Sequence, residues 1–583
     1  MAKRSRRAGP RKTTAGVGSL ARAARSTLRS YTVGALPILN QVLQRLRLED
    51  HLRAYLPAED GRTKPSTPRT LLVLLRNLLV SREPLYGIGQ WAARHAPDLL
   101  GLTPDEVARL NDDRVGRALD RLFLADVSSL ALAVAAHAVR TFRVTLDELH
   151  NDSTTVSFFG AYVDAAAEKR YLGRPTLAIT WGHSKDHRPD LKQLLFILTV
   201  TEDGGVPIHF RAESGNRTDD RTHRETWELL CRLTGRRDFL YVADCKLATT
   251  GNMAYLDHRG GRFVTVLPRS RAEDAAFRKR LREKQVPWEH LEDKTDEEGE
   301  VVDRYSLCPL PTVTAEGYRL VWYHSTRKAE LDAAFRSRCL QRALRGLGEL
   351  RRKLFSPRTR YRQPEKVRRA VATILQETGT EDWIHIEIAP HTQVSYRQEK
   401  RGRPTASTRY VRRVRTRLEL RYEIDVARVA EAAASDGVFP LVTNVTKLSA
   451  RELLAAYKRQ PTIEKRFSQL KTDFAVAPVY LKQVRRIQGL LCMYFFALLV
   501  EALVERELRR AIQRKGIASL PMYPEGRPCR RPTARRLIDL FAAVQRHELA
   551  GRKGTRRVMV TELTPLQCKL LRLLGVRTTD YGR

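Results

Sequence analysis

The sequence predicts an α/β fold with helical regions before and after it. Strand-like runs rich in Val, Ile, Phe and Leu crowd residues 144–270, helical patterns alternate with the later runs, and helical spacing of apolar residues dominates both flanks. At 583 residues the chain is too long for one hydrophobic core, so we expect two to four domains.

The chain is strongly basic, with 105 Lys and Arg against 66 Asp and Glu and a formal net charge of +39. Such a charge steers a protein toward polyanions, above all nucleic acid. A GC-rich genome would explain why Arg replaces Lys but not the net excess. Residues 1–30 hold nine Lys and Arg and no acid. An organelle transit peptide has a similar composition, but we favour a disordered basic arm that tethers DNA.

The seven cysteines lie far apart and form no C-x-x-C pair, so neither a zinc ribbon nor a disulfide framework is indicated. A reduced, cytosolic compartment therefore fits, and we expect no membrane partner. The longest apolar run, residues 490–500, is too short to cross a bilayer and predicts a buried helix.

The predicted elements begin with residues 31–140, a compact all-α module about the size of a DNA-binding domain. In the α/β region we expect strands at 146–160, 192–201, 206–212, 238–243 and 262–267, and helices at 222–236 and 249–258. Three strands in a meander, followed by strand–helix alternation, predict a layered α/β sheet.

Residues 271–435 interrupt this pattern. They contain a strand at 318–324, a basic helix at about 327–355, and strands at 383–389 and 417–424. Those last two strands flank an Arg-rich turn, 397–415, which we expect to be mobile or to face DNA. The α/β pattern then resumes with a strand at 438–445, helices at 449–459, 461–475 and 482–514, and a smaller helical tail.

Three acids in this scheme are candidates for one site. Asp152 lies on a strand-like stretch, and Asp244 follows an apolar strand that would deliver it to the sheet edge, a natural position for ligands. Pro461 predicts a helix start, which places Glu464 in the first turns where the dipole favours a carboxylate. Two aspartates and a glutamate are what two-metal phosphodiester chemistry requires. An ordinary strand-end or capping role is the alternative for each aspartate taken alone.

Tyr457 and Lys471 flank Glu464, each seven residues away. Because seven residues make two helical turns, we expect Glu464 and Lys471 on one face, with Lys471 within reach of a phosphate. A solvated pair on a basic helix is the alternative.

The spacing of Tyr457, Gln460, Glu464 and Lys471 resembles the Y-R-E-K motif of DDE transposases of the IS-four insertion-sequence superfamily. The blocks Gly-His-Ser-Lys-Asp-His-Arg-Pro-Asp-Leu-Lys-Gln at 182–193, Asn-Asp-Asp-Arg-Val-Gly-Arg-Ala-Leu-Asp-Arg-Leu at 111–122 and Pro-Leu-Tyr at 84–86 are similar to the IS-sixteen-thirty-four branch. The resemblance covers about residues 30–575.

The resemblance implies an RNase H-like mixed-sheet catalytic core formed by residues 144–270 and 436–480. It implies an inserted β-rich domain at 271–435 and is compatible with a C-terminal helical region at 481–583. Asp152, Asp244 and Glu464 would be the metal-binding triad for two Mg²⁺ ions, with Mn²⁺ as a substitute, and Tyr457 and Lys471 would orient the phosphates.

By the same analogy the protein is a transposase that binds the terminal inverted repeats of its own element through residues 31–140. It would cleave and rejoin double-stranded DNA as a homodimer in a synaptic complex. A metal-dependent nuclease without strand joining and a non-catalytic DNA-binding descendant are the alternatives. One position departs from the motif: Gln460 stands at the family's arginine, so the phosphate contact is lost, shifted to Arg459 or supplied elsewhere.

Overall fold

The computed structural model describes residues 27–160, 162, 165, 169–186, 188–217, 222–296, 298–356, 358–474, 481–550 and 556–582. The predicted basic arm, residues 1–30, therefore lies outside the described residues except for its last four. Those four residues begin a strand.

The N-terminal part is helical apart from this strand. It consists of β1 (Thr27–Thr32), α1 (Leu36–Arg45), α2 (Leu48–Tyr55), α3 (Thr67–Val80), α4 (Ile88–Ala93), α5 (Pro104–Ala108), α6 (Asp112–Leu124) and α7 (Val127–Phe142). Helix α6 begins where the Asn111 side chain accepts a hydrogen bond from the Arg114 backbone N–H at 2.8 Å. Its buried face, with Val115 and Leu119, joins the largest hydrophobic core of the molecule.

The α/β region follows the predicted order closely. It contains β2 (Glu148–Phe158), β3 (Arg170–Tyr171), β4 (Arg174–Pro175), β5 (Lys192–Thr201), β6 (Pro207–Ser214), α8 (His223–Thr234), β7 (Leu240–Ala243), α9 (Thr250–Asp257) and β8 (Arg262–Val266). Strands β2, β5 and β6 form an antiparallel meander, whereas β7 runs parallel to β2 and β8 runs parallel to β7. The fold is thus a mixed α/β sheet, as the sequence predicts.

The first part of the next segment adds strands to the same sheet, and its second part forms a separate unit. Its elements are α10 (Ala272–Arg282), β9 (Glu289–Thr295), β10 (Val301–Leu307), β11 (Thr312–Val313), β12 (Arg319–Ser325), α11 (Thr326–Leu354), α12 (Pro364–Thr378), β13 (Ile384–Gln398), β14 (Tyr410–Ile424) and α13 (Val426–Ala433). Strands β9 to β12 belong to the main sheet, whereas β13 and β14 pair only with each other among the described strands. The range 271–435 therefore contributes four strands to the main sheet, and the separate helix–ribbon unit begins at α11.

The predicted strands of the ribbon are too short. Both continue for many residues into the range predicted as a turn, because β13 ends at Gln398 and β14 begins at Tyr410. The outer pairs join mostly polar, exposed residues. Such pairs alternate only weakly between apolar and polar residues, so the pattern used to find strands misses them.

The chain then returns to the sheet and ends in a second mixed region. The elements are β15 (Val438–Thr443), α14 (Ala450–Lys458), α15 (Pro461–Ser468), α16 (Val484–Arg514), β16 (Leu520–Pro521), β17 (Pro528–Cys529), α17 (Ala534–Phe541), β18 (Gln545–Ala550), β19 (Arg556–Val560) and α18 (Pro565–Leu574). The main sheet has the order β6-β5-β2-β7-β8-β15-β12-β10-β9, with β11 beside β12.

The sequence predicted a purely helical C-terminal region, and this prediction is wrong. Four short strands interrupt it, and β18 pairs with both β1 and β19 to form a three-stranded sheet. The pairing joins residues more than 500 positions apart, which local periodicity does not reveal.

Helix α16 is the central helix of the largest core. Its 31 residues are long and apolar enough to cross a bilayer, but 94% of its apolar window is buried inside the described structure. It packs against α1, α3, α6 and β6. The prediction of a buried helix around residues 490–500 is confirmed.

Candidate active site

The two aspartates lie next to each other where the pairing of β2 with β7 ends. Strands β2 and β7 are parallel, and their register places Asn151 opposite Ala243. The next residue on β2 is Asp152, which lies inside that strand, and the next residue after β7 is Asp244, so the two aspartates are neighbours at the carboxyl end of β7. Each is half-buried.

The surroundings of Asp152 disfavour its ionised form. Burial is the main cause that raises the pKa of Asp152 to about 6, and the negative charge of Asp244 raises it further. Lys185 works in the opposite direction, because its Nζ lies 3.3 Å from Asp152 Oδ1. The same ammonium donates to the Ser153 carbonyl at 2.8 Å and to its hydroxyl at 2.6 Å.

Helices α14 and α15 bring Tyr457 and Glu464 toward the carboxyl end of β7, where the charges of the two aspartates act on Tyr457. Pro461 is the first residue of α15, as predicted, and Glu464 lies exposed in the first turn. Burial is the main cause that raises the pKa of Tyr457 to about 12, and the charges of Glu464, Asp244 and Asp152 contribute in that order. The charges of all three acids therefore act on one tyrosine hydroxyl.

Lys471 does not lie on an unbroken α-helix. Helix α15 ends at Ser468 and passes into a π-helical turn, Gln469–Asp473. A π turn advances fewer degrees per residue than an α turn, so Lys471 is rotated away from the position expected two α-turns beyond Glu464. Its ammonium forms an ion pair with Asp186.

Asp186 and Lys185 belong to one loop, residues 182–190, of which residue 187 lies outside the described residues. Asp186 also accepts a hydrogen bond from the Thr155 hydroxyl at 3.3 Å. The 182–190 loop therefore contacts strand β2, Asp152 and Lys471 together. The sequence singled out this block by its resemblance, and its lysine and aspartate were not predicted as site residues.

Gln460, which occupies the arginine position of the motif, is buried and structural. Its Oε1 lies 3.2 Å from His150 Nδ1, and His150 Nε2 lies 2.8 Å from Glu148 Oε1. Arg459 closes this network with two hydrogen bonds to the Glu148 carboxylate, at 2.6 and 2.5 Å. Burial opposes the ionisation of Glu148, yet the hydrogen bonds from Arg459 and His150 hold its pKa below the ordinary value. A shift of the phosphate contact to Arg459 is not supported, because its guanidinium is engaged with Glu148.

A second buried network fixes α15 against α16. Arg466 is 1% exposed, donates to the carbonyl oxygens of Gly204 and Gly205, and lies 3.1 Å from Glu505. Burial opposes the ionisation of Glu505, but the positive charges of Arg466, Lys465 and Arg509 lower its pKa to about 2.

The pKa of Glu501, one helical turn before Glu505, is shifted in the opposite direction. Burial and the neighbouring Glu505 charge raise its pKa to about 8, so it is largely protonated at neutral pH. The sequence analysis missed this network. The only signal was the pair of glutamates four residues apart within an otherwise apolar helix.

The donor chemistry of the site fits a hard divalent cation, since all three acids that act on Tyr457 offer carboxylate oxygens. Within the described ranges, however, no group of three or more His, Cys, Asp or Glu side chains is gathered closely enough to hold a metal ion. Lys185 lies against Asp152, and Glu464 is exposed on α15. Three-ligand coordination therefore requires these two side chains to move.

Comparisons with known proteins cover most of the chain. A family model described as "Transposase DDE domain" matches residues 149–500, which is more than half of the sequence and includes all the site residues above except Glu148, Glu501, Glu505 and Arg509. A second, described as "Domain of unknown function (DUF4277)", matches residues 28–136. No curated protein matches the chain.

One similar solved structure is a cryo-EM structure of the piggyBac transposase synaptic complex with hairpin DNA. The similarity covers 87% of this chain and 78% of that chain, with 7% sequence identity and a TM-score of 0.34. A likeness this weak supports no conclusion about fold or function.

Proposed function

The chain belongs to the transposase DDE domain family, and on that premise we propose that it binds the terminal inverted repeats of its own mobile element. We further propose that it catalyses metal-dependent DNA cleavage and strand transfer. Within the family, the spacing from Tyr457 to Lys471 favours the IS-four superfamily and its IS-sixteen-thirty-four branch.

One observation carries this proposal. The register of β2 and β7 makes Asp152 and Asp244 neighbours at the carboxyl end of β7, and the charge of Glu464 on α15 acts on the same tyrosine hydroxyl as theirs. Three oxygen-donor acids from three separate elements thus face one region, and a movement of Lys185 and Glu464 would complete the set that two-metal phosphodiester chemistry requires. A structural cluster of three like charges without a cation would be costly.

The sheet order supports an RNase H-like core. An antiparallel meander, β6-β5-β2, is followed by β7 and β8, both parallel to β2. We place this core at residues 144–270 with 436–480, between a helical DNA-end-binding domain at 31–140 and the C-terminal region at 481–583. The insertion at 271–435 then combines an extension of the sheet with the helix–ribbon unit.

Asp152, Asp244 and Glu464 would hold two Mg²⁺ ions, for which Mn²⁺ substitutes, and these ions would activate a water or 3′-hydroxyl and neutralise the leaving oxygen. Tyr457, with a pKa raised to about 12, stays protonated at neutral pH and can donate a hydrogen bond to a phosphate oxygen. Lys471, once released from Asp186, adds a positive charge near the same phosphate.

The partners follow from the same proposal. Residues 31–140 would read the element ends, the basic arm at 1–30 would hold the phosphates, and two copies of the chain would synapse two ends as a homodimer. The net charge of +39 supports a double-stranded DNA partner. Bacterial cytoplasm, at the nucleoid, is where such a partner would be met.

A strand-transfer assay with pre-cut element ends tests the function. The ends are taken from the inverted repeats that flank the gene, and the target is a supercoiled plasmid. Joined products that require Mg²⁺ or Mn²⁺ support a transposase. Metal-dependent nicking without joined products would instead indicate a nuclease, and end binding without any cleavage would indicate a non-catalytic descendant.

A further inference from the structure

The ribbon formed by β13 and β14 has a packed base and an uncovered outer half. At the base, Ile384 and Leu420 are buried against α11 and α12. The last contacts with this helix pair are those of His391 and Arg417 with Phe355. Residues 392–416, which we call the arm, lie beyond them and are almost entirely exposed.

The arm is an ordered, extended structure. Its paired part runs from Thr392↔Thr416 to Gln398↔Tyr410 in one unbroken antiparallel register. The six steps between these seven pairs, at about 3.4 Å each, give a ribbon roughly 20 Å long. The hydrogen bonds that hold the connecting turn include those from the Glu399 N–H to the Arg409 carbonyl at 2.9 Å and from the Thr405 N–H to the Thr408 hydroxyl at 2.7 Å.

Nearly all the charged side chains of the arm are positive. Residues 392–416 contain eight Lys and Arg side chains and a single acid, Glu399. None of these eight forms an ion pair with any residue that the structure describes. The base of the same ribbon differs, because there Arg421 lies 3.1 Å from Glu419 and 3.9 Å from Glu387. The unbalanced charge therefore begins where the packing ends.

The pairing register sorts the arm into two faces. Gln393 stands opposite Arg415, Ser395 opposite Arg413, and Arg397 opposite Val411. Because side chains alternate along a strand, Arg397, Arg413 and Arg415 point to the same face. The opposite face continues the side that packs on α11 and α12, and it carries Tyr396 and Val414, which are 67% and 53% exposed, together with one arginine, Arg412, opposite Tyr396.

We propose that the arm is a DNA-binding element whose arginine face lies along the phosphates of a duplex. The proposal rests on the proposed function, which makes double-stranded DNA the substrate. A two-stranded ribbon has the width that a DNA major groove admits, and arginine binds phosphate with two parallel hydrogen bonds. A second copy of this chain is the less suitable occupant, because two arms of the same sign repel each other.

The test compares two double variants of the full-length protein. Arg413→Gln with Arg415→Gln removes two charges from the arginine face, and Arg338→Gln with Arg342→Gln removes two from exposed positions on α11. Fluorescence anisotropy with a labelled duplex, in EDTA, measures affinity across a range of salt concentrations. The arm variant should bind about tenfold more weakly, and its slope of log affinity against log salt should fall by about two.

The α11 variant should bind like the wild type. Equal losses in both variants, or no loss in the arm variant, would overturn the proposal. So would an arm variant with unchanged DNA affinity and an altered sedimentation coefficient, which would indicate that the arm contacts a second copy. Because binding is measured without cleavage, the two proposals are tested separately. A negative result for the arm would not contradict the proposed chemistry, and a lack of strand transfer would not contradict DNA binding by the arm.

Discussion

The ammonium of Lys185 lies 3.3 Å from the Oδ1 atom of Asp152, on a carboxylate proposed to bind a metal ion. In the same loop, Asp186 forms an ion pair with Lys471, which is proposed to face the scissile phosphate. The 182–190 loop thus supplies an internal cation for the acid and an internal anion for the lysine. Metal and DNA would have to replace both contacts.

Substitution of Lys185 should strengthen metal binding. Lys185→Met removes the cation that competes at Asp152, a charge-assisted contact worth about 1.5–3 kcal/mol, so we expect roughly tenfold tighter Mn²⁺ binding. The measurement is Mn²⁺ titration of the DNA-free protein by electron paramagnetic resonance at about pH 8, where Asp152 stays ionised.

Lys366→Met, an exposed lysine on α12, is the matched control and should bind Mn²⁺ like the wild type. Unchanged or weaker binding in Lys185→Met would show that this lysine does not compete with the metal.

Asp152→Asn should stabilise the fold at neutral and alkaline pH. The pKa of Asp152 is raised from 3.8 to about 6, so its ionised form is disfavoured in the folded state, and stability is lost as pH rises through this interval. Asparagine carries no charge, so the variant should gain up to about 3 kcal/mol above pH 7 and almost nothing below about pH 4.

Melting temperatures of wild type and Asp152→Asn at the two pH values measure this difference. A variant that melts at the same temperature as the wild type, or lower, at both pH values would show that burial does not disfavour this carboxylate.

Arg459→Ala should act on stability, not on phosphate binding. The change leaves the buried Glu148 carboxylate without its main partner. Removing one partner of a buried pair costs about 3–5 kcal/mol, and we discount this to about 1–3 kcal/mol because the Arg459 side chain is one-third exposed.

Denaturant unfolding of Arg459→Ala, Glu148→Ala and the double variant measures the coupling between the two residues. Salt-dependent DNA affinity, taken on the same proteins, provides the contrast. If Arg459→Ala is as stable as the wild type and its DNA affinity depends less steeply on salt, Arg459 contacts a phosphate after all.

DNA binding should weaken steeply with salt, because +39 net charge implies release of counterions from the phosphates. Deletion of residues 1–26 removes eight of the nine charges in the basic arm and leaves β1 paired with β18. We expect a flatter salt slope and an unchanged preference for element ends over random DNA. Competition titrations with both DNAs measure the preference. A lost preference would show that residues 1–26 take part in sequence recognition.

The sequence predicted the features that depend on local patterns. The strand before Asp244 is an apolar run, and Pro461 marks the start of α15. These signals span at most a dozen residues, so one sequence suffices to find them.

The contacts that shape the site were not predictable in this way. Lys185 and Asp152 are separated by 33 positions, and Arg459 and Glu148 by 311. A charged side chain on a loop has many possible partners, and its spacing gives no preference among them. The π turn at Lys471 also left no periodic signal, because its five residues are fewer than a pattern requires.

Metal-dependent cleavage of element-end DNA by Asp152→Asn, Asp244→Asn and Glu464→Gln tests the central claim most directly, with Asp147→Asn, an exposed acid just before β2, as the control. If the three acids form one catalytic site, each of the three variants should lose cleavage by several orders of magnitude while it binds the DNA end as the wild type does, and the control should cleave normally. Near wild-type cleavage by any of the three would contradict the account.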